Sequence, residues 1–209
     1  MSSHPFPRLR WLAVIWLAVY LPSYLLAYPL INFLFLCNLG IAVTAIGLIA
    51  GSRLLISSQA VAAPVIGLAW TLDVGWRLLS GDFLFGATAY MWDPKYPLFT
   101  RLLSTYHVLW PLLVLYCVAR EGYDRRGWAL QTAIAAAGVI VARLATPAGE
   151  NVNFAFADPF LGRQLGPPAL HILLVVAILG GLAYGATHAL LVRFCPPPRP
   201  AGHERRSRG

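Results

Sequence analysis

The chain has 209 residues, 58% of them hydrophobic and only 11% charged, with a mean hydropathy of +0.66. Soluble domains carry about 25% charged residues, so this composition excludes an ordinary soluble domain and predicts an all-α, polytopic transmembrane helical bundle. A net charge of +8 would suggest nucleic acid in a soluble protein, but here orientation in a membrane accounts for it. The expected partners are membrane lipids, with no nucleic acid among them.

Crossing the hydrocarbon core takes about 20 apolar residues in a helix. Six such spans can be read, at about 11–28, 30–50, 60–79, 99–118, 128–145 and 168–192. Arg8 and Arg10 precede the first, as in a signal peptide, but its exit Leu25-Leu26-Ala27-Tyr28 lacks a small-x-small cleavage pattern, so the helix is expected to be retained. Little more than Tyr28-Pro29 separates the first two spans, which predicts a tight hairpin. The fifth span is short and Ala-rich, with Arg143 near its end. Pro22, Pro64 and Pro111 fall inside helices and should kink them or free a carbonyl. Gly47 and Gly51 in span two, and Ala177, Gly181, Gly185 and Ala189 in span six, are small residues four apart, a pattern that lets membrane helices approach closely. Packing within one chain is the simpler use of that ladder; a homodimer face through Gly181 and Gly185 is the other. Short connections make residues 1–194 one six-helix domain, and residues 195–209, with Pro196-Pro197-Pro198 and several arginines, read as a disordered basic tail lying against anionic lipid.

Placing both termini in the cytoplasm puts Arg8, Arg10, Arg53, Arg120, Arg125, Arg126, Arg193, Arg199, Arg205, Arg206 and Arg208 inside, and leaves Arg77, Lys95, Arg101, Arg143 and Arg163 on or near the outer side. That asymmetry follows the positive-inside rule. Arginine in place of lysine, with abundant alanine, suggests a GC-rich bacterial gene, and hence the inner cell membrane.

Ionisable residues inside membrane spans are functional candidates by default. At 1.5 Å per residue, Cys37 and Asn38 lie roughly 10–12 Å in from the outer surface, Asp73 about 9 Å and His107 about 12 Å. Arg143 ends span five at that surface, and His171 is shallow enough to belong to it. Facing groups them further: Thr100, Ser104, His107 and Pro111 share one stripe of span four, and Cys37 and Thr44 share a face of span two with Asn38 beside it. The expectation is a polar pocket opening outward, formed by Asn38, Thr44, Thr100, Ser104, Arg77, Arg143 and His171. Its catalytic set would be His107 as general base, Cys37 as nucleophile, and Asp73, or alternatively Asn38, orienting the imidazole. Asp73 and Arg77, four apart, can instead pair with each other. Two aromatic-rich loops, 80–98 and 146–167, are expected to anchor at the interface or to cover the pocket.

The three cysteines form neither a disulfide framework nor a metal-ligand pattern, and no metal or cofactor is expected. A b-type haem between His107 and His171 is a weaker alternative.

Asp93-Pro94-Lys95-Tyr96-Pro97, followed by His107 and Pro111-Leu112-Leu113, resembles the segment through the catalytic histidine of the androgen-induced family of six-helix intramembrane hydrolases. Leu36-Cys37-Asn38-Leu39 is similar to that family's nucleophile helix around its Asn-Leu. The resemblance covers about forty residues and implies cleavage of fatty acid esters of hydroxy fatty acids, with His107 as the transferable catalytic residue. The family's threonine would fall at Phe35, so Cys37, or less plausibly Thr44, would have to replace it. The chain also resembles small bacterial multi-pass membrane proteins, a likeness that implies no activity.

Two functions from different classes follow. One is an intramembrane hydrolase or acyltransferase acting on a lipid ester. The other is a non-catalytic membrane protein that binds a lipid or partner, its polar cluster fixing helix packing.

Overall fold

A computed structural model describes residues 4–196; most of the basic tail lies outside them. Among the described residues all regular structure is helical. The helices are α1 (Leu9–Ala27), α2 (Leu36–Ala50), α3 (Arg53–Ser80), α4 (Leu98–Leu103), α5 (Tyr106–Glu121), α6 (Arg126–Ala145), α7 (Pro168–Ala177) and α8 (Tyr184–Phe194). α4 with α5, and α7 with α8, are single passes interrupted by a local change of hydrogen-bond phase. Five passes are long and apolar enough to cross a membrane, and α2 is a shorter apolar helix. With the 3₁₀ turn Leu30–Leu34 before it, the α2 pass still reaches about 32 Å.

The polarity of this bundle runs opposite to that of a soluble one. Leu26, Leu79, Leu144 and Leu182 are among the most exposed residues, whereas Asn38, Ser57, Gln59, Asp73, His107, Gln131 and His171 are buried. Hydrocarbon can solvate the first set and not the second, so this fits a multi-pass membrane protein.

α3 is the central post, 28 residues long and packed against α2, α5, α6 and α8. Small residues allow that approach: Ala60, Ala62 and Ala63 are fully buried. A Cβ at Gly67 would collide with the His107 carbonyl and the Pro111 ring, and one at Gly127 with the Ser57–Ser58 backbone. Gly47 of α2 packs on Leu55 and Ile56 as its place in the sequence suggests, while Gly51 takes φ 65° to end the helix.

The bundle has two distinct ends. At one, His4 Nε2 lies 3.1 Å from the Ile49 carbonyl, the Tyr123 amide donates to the Cys195 carbonyl and the Asp124 amide donates to Ser57 Oγ. Both described ends of the chain therefore meet there, as an even number of passes requires. The other end carries the two long loops, 81–97 and 146–167, which touch through Phe85 and Phe160.

Three interruptions depart from the continuous spans expected. The second pass breaks at Phe35, where the Asn153 side chain fills the gap: its Oδ1 accepts from the Leu36 amide and its Nδ2 donates to the Leu34 carbonyl, each at 2.9 Å. The fourth pass breaks at Ser104–Thr105. The sixth contains a π-helical turn, Ile178–Ala183. That turn rotates the helix face, so Gly180 rather than Gly181 or Gly185 makes the close approach, packing on Thr132 and accepting from Trp128 Nε1 at 2.8 Å. Around Gly181 there is open space, so the small-residue ladder does not serve packing inside this chain.

Candidate functional site

At the loop end, a cavity of about 250 Å³ opens between α1, the start of α2, α5 and both long loops. Cys37 and Asn38 reach it from α2, His107 from α5, Tyr24 and Tyr28 from α1 and its end, Tyr90 and Tyr96 from the first loop, and Glu150 from the second. Both loops thus contribute walls, in keeping with a cover over the pocket.

Breaking the second pass at Phe35 is what brings Cys37 and Asn38 here, on the first turn of α2. Asn38 Oδ1 accepts from the Tyr20 hydroxyl at 2.6 Å and the Tyr106 hydroxyl at 3.1 Å, and its Nδ2 donates to the Asn32 carbonyl. Asn38 is therefore spent on fixing α1, α5 and the 3₁₀ turn around the cavity floor. Cys37 is a free thiol on the first turn of α2.

His107 is held by one carbonyl and two stacked rings, of which Tyr106 lies at 4.2 Å. Its Nδ1 lies 2.7 Å from the Ser104 carbonyl, and a carbonyl only accepts, so Nδ1 carries the hydrogen. In the neutral ring the lone pair then sits on Nε2. Trp70 stacks on the imidazole at 5.1 Å with 4° between planes and donates from its own Nε1 to the Tyr90 hydroxyl at 3.0 Å. The Ser104 hydroxyl is tied to that of Tyr24 at 2.7 Å. A break in the helix at Ser104–Thr105 thus supplies the carbonyl that orients the base.

Asp73 does something other than orient that imidazole. Its Oδ1 accepts from the Phe85 amide at 2.6 Å and the Gly86 amide at 3.2 Å, and its Oδ2 from the Thr88 amide at 2.9 Å and the Thr88 hydroxyl at 2.7 Å. Four donors occupy the carboxylate, which closes the loop after α3. Nor does it pair with Arg77, whose guanidinium lies over Phe83 at 4.7 Å and Trp92 at 5.9 Å.

The remaining expected pocket residues also lie outside the lining. Thr44 donates to the Gly40 carbonyl and accepts from Trp110 Nε1, both at 2.8 Å, deeper in the bundle. Thr100 donates to the Pro97 carbonyl and lines a separate groove with Leu26, Ala27 and Phe99. Arg143 donates to the Ala155 carbonyl and lies over Phe156. His171, near the start of α7, is fully buried within the protein. Its Nδ1 accepts from the Leu165 amide at 3.1 Å and its Nε2 lies 2.9 Å from the Phe154 carbonyl. With both nitrogens used to fasten the second loop, it has no lone pair for a haem iron.

The tyrosine lining is what the sequence reading missed. Tyr20 and Tyr24 on α1 and Tyr28 just past its end fall four apart, the last two of them in the lining, and that spacing was a readable signal. The roles of Asn153 and Glu150 had no local signal, because their partners or neighbours are more than 40 residues away in the chain or on another pass.

No family model, curated protein or solved structure matches this chain.

Proposed function

We propose that this protein is an intramembrane hydrolase or acyltransferase acting on a lipid ester, with His107 as general base and Cys37 as nucleophile. The membrane would be the inner cell membrane, with the cavity opening toward its outer leaflet. One observation carries the reading: a histidine whose Nδ1 is committed to a backbone carbonyl lines the same cavity as a free thiol on the first turn of a helix.

In the proposed reaction, Nε2 of His107 takes the Cys37 proton and Sγ attacks the ester carbonyl carbon. The alcohol leaves with the proton returned by the imidazolium, which gives a thioester at Cys37. Water in a hydrolase, or a second alcohol in a transferase, then attacks the thioester. His107 takes that proton and the thiol is regenerated. Backbone N–H groups at the start of α2 are suited to the oxyanion that forms beside Cys37.

The test is labelling of Cys37 by a long-chain iodoacetamide in membranes, followed by mass spectrometry. The expected result is rapid labelling in the wild type and a loss of about 10²-fold or more in the His107→Ala variant, the usual scale for losing a positioned base. Equal labelling of the two proteins would sink the mechanism.

A second reading has its own support. Asn38, Ser104, Thr44 and Asp73 are all consumed by bonds within the chain, as expected if polar side chains serve helix packing around a cavity that binds a lipid without turnover. On that reading His107→Ala lowers thermal stability in detergent and leaves Cys37 reactivity unchanged.

A further inference from the structure

The cavity has an aromatic and acidic lining without a lysine or arginine in it. Tyr24, Tyr28, Tyr90 and Tyr96 supply rings and Glu150 a carboxylate, and neither Lys nor Arg is part of the wall. The rings of Tyr28 and Tyr90 stand at 85° with centroids 6.3 Å apart, while Tyr96 lies against Tyr28 at 4.6 Å. These three form a corner rather than a flat stack.

Ring faces carry negative potential, and corners built from them are the usual receptors for ammonium groups. Tyr96 already meets one cation, since Lys95 Nζ lies 5.6 Å from its ring centroid. The Tyr28 hydroxyl is buried and makes no hydrogen bond, so what Tyr28 offers the cavity is its ring. Glu150 sits exposed at the mouth. Among the described residues the one ion pair is Arg126–Asp124 at the opposite end, so none of them forms an ion pair with Glu150. Arg101 of α4 is turned to the Met91 carbonyl at 2.9 Å.

We infer that the cavity binds an organic ammonium group of the choline or ethanolamine type, with Tyr28, Tyr90 and Tyr96 against the cation and Glu150 balancing its charge. This rests on the cavity being the ligand site, as proposed above, and narrows the ligand to one that carries a positive head. That head can belong to a phospholipid or to a free amine. His107 fits either, because its neutral ring presents a lone pair rather than a second positive charge.

The experiment is calorimetric titration of the full chain in detergent with choline and with 3,3-dimethylbutanol, its uncharged isostere. Choline should bind about tenfold or more tightly than the isostere, the scale of a desolvated cation–π contact. Glu150→Gln, a substitution at an exposed position, and Tyr96→Leu should each weaken choline several-fold and leave the isostere unchanged. Equal affinity for the two ligands, no binding of either, or choline binding that ignores both substitutions would overturn the inference.

Nanodiscs then separate the sources. Choline that binds in phosphatidylglycerol discs and is displaced in phosphatidylcholine discs identifies a lipid headgroup as occupant. Equal binding in both identifies a free amine, and absence from both counts against the site. Should Cys37 labelling remain dependent on His107 while choline fails to bind, only the ammonium inference falls. Loss of both removes the ligand-site reading itself.

Discussion

His107 and His171 are both buried histidines on the loop-end half of the bundle, and the fold treats their ring nitrogens differently. His171 gives one nitrogen to the Leu165 amide and the other to the Phe154 carbonyl, so it works as a rivet between α7 and the loop above it. His107 gives one nitrogen to the Ser104 carbonyl and lines an open cavity. Burial and residue type do not separate the two; the number of backbone groups each one satisfies does. A buried histidine with both nitrogens spent is structure, and one with a lone pair facing a cavity is available for chemistry.

The strongest way to break this comparison is to remove the rivet. His171→Leu keeps much of the volume but takes the side-chain partner from the part-buried Leu165 amide and Phe154 carbonyl, at about 1–3 kcal/mol each. It should therefore cost about 2–5 kcal/mol, read as a large drop in thermal midpoint in detergent. Cys37 labelling measured well below that midpoint should persist. A midpoint within a degree or two of wild type would show that His171 is not the fastening it looks like.

Asp73→Asn comes next. The carboxylate accepts four hydrogen bonds from the 85–88 segment, and an amide would turn an N–H₂ toward donors. A loss of about 2–3 kcal/mol is expected, with faster proteolysis between α3 and α4 as the local signature. His107→Leu should cost less, about 1 kcal/mol for the one side-chain hydrogen bond lost, because the Ser104 carbonyl keeps the backbone amide of residue 107, while abolishing the base-dependent reactivity. If His107→Leu proved more destabilising than His171→Leu, the assignment of rivet and base would have to be exchanged.

These pairs also show what could be read from the residues alone. Six apolar runs gave the passes, because the length and hydropathy of a span are properties of its composition. Interruptions at Phe35, at Ser104–Thr105 and in 178–183 were not legible, because an apolar run carries no mark of hydrogen-bond phase. Depth correctly brought Cys37, Asn38 and His107 to one cavity. It could not say which way each side chain turned. Asp73 lies at a similar depth, yet its partners are backbone amides 12–15 residues downstream, which no i, i+4 pattern reveals. Arg77 went to Phe83 and Trp92, since a guanidinium near the interface gains as much from ring faces as from a carboxylate already saturated by amides. His171 looked superficial from its place at the start of a span. It is buried because the second loop folds over it, held by Asn151 and Asn153 in left-handed backbone conformations.

Asp124 also gathers donors at the opposite end of the bundle, but its partner is an exposed side chain rather than a covering loop. Its carboxylate accepts from the Arg126 amide at 3.0 Å and pairs with the Arg126 guanidinium at 2.7 Å, and the Arg126 side chain is 76% exposed. The hydrogen bond and charge of Arg126 hold the Asp124 carboxyl below the usual carboxylate range. A depressed value in the folded state means that the pair stabilises above the ordinary carboxylate pKa, and that this contribution is lost as pH falls through the folded value. Because solvent screens an exposed partner, Asp124→Asn should change the thermal midpoint at neutral pH far less than Asp73→Asn. The small gap from wild type should close on acidification below the carboxylate range. A gap that stayed constant with pH would mean that Asp124 acts through the helix-capping bond to the Arg126 amide, which an asparagine oxygen can also accept in part, and not through its charge.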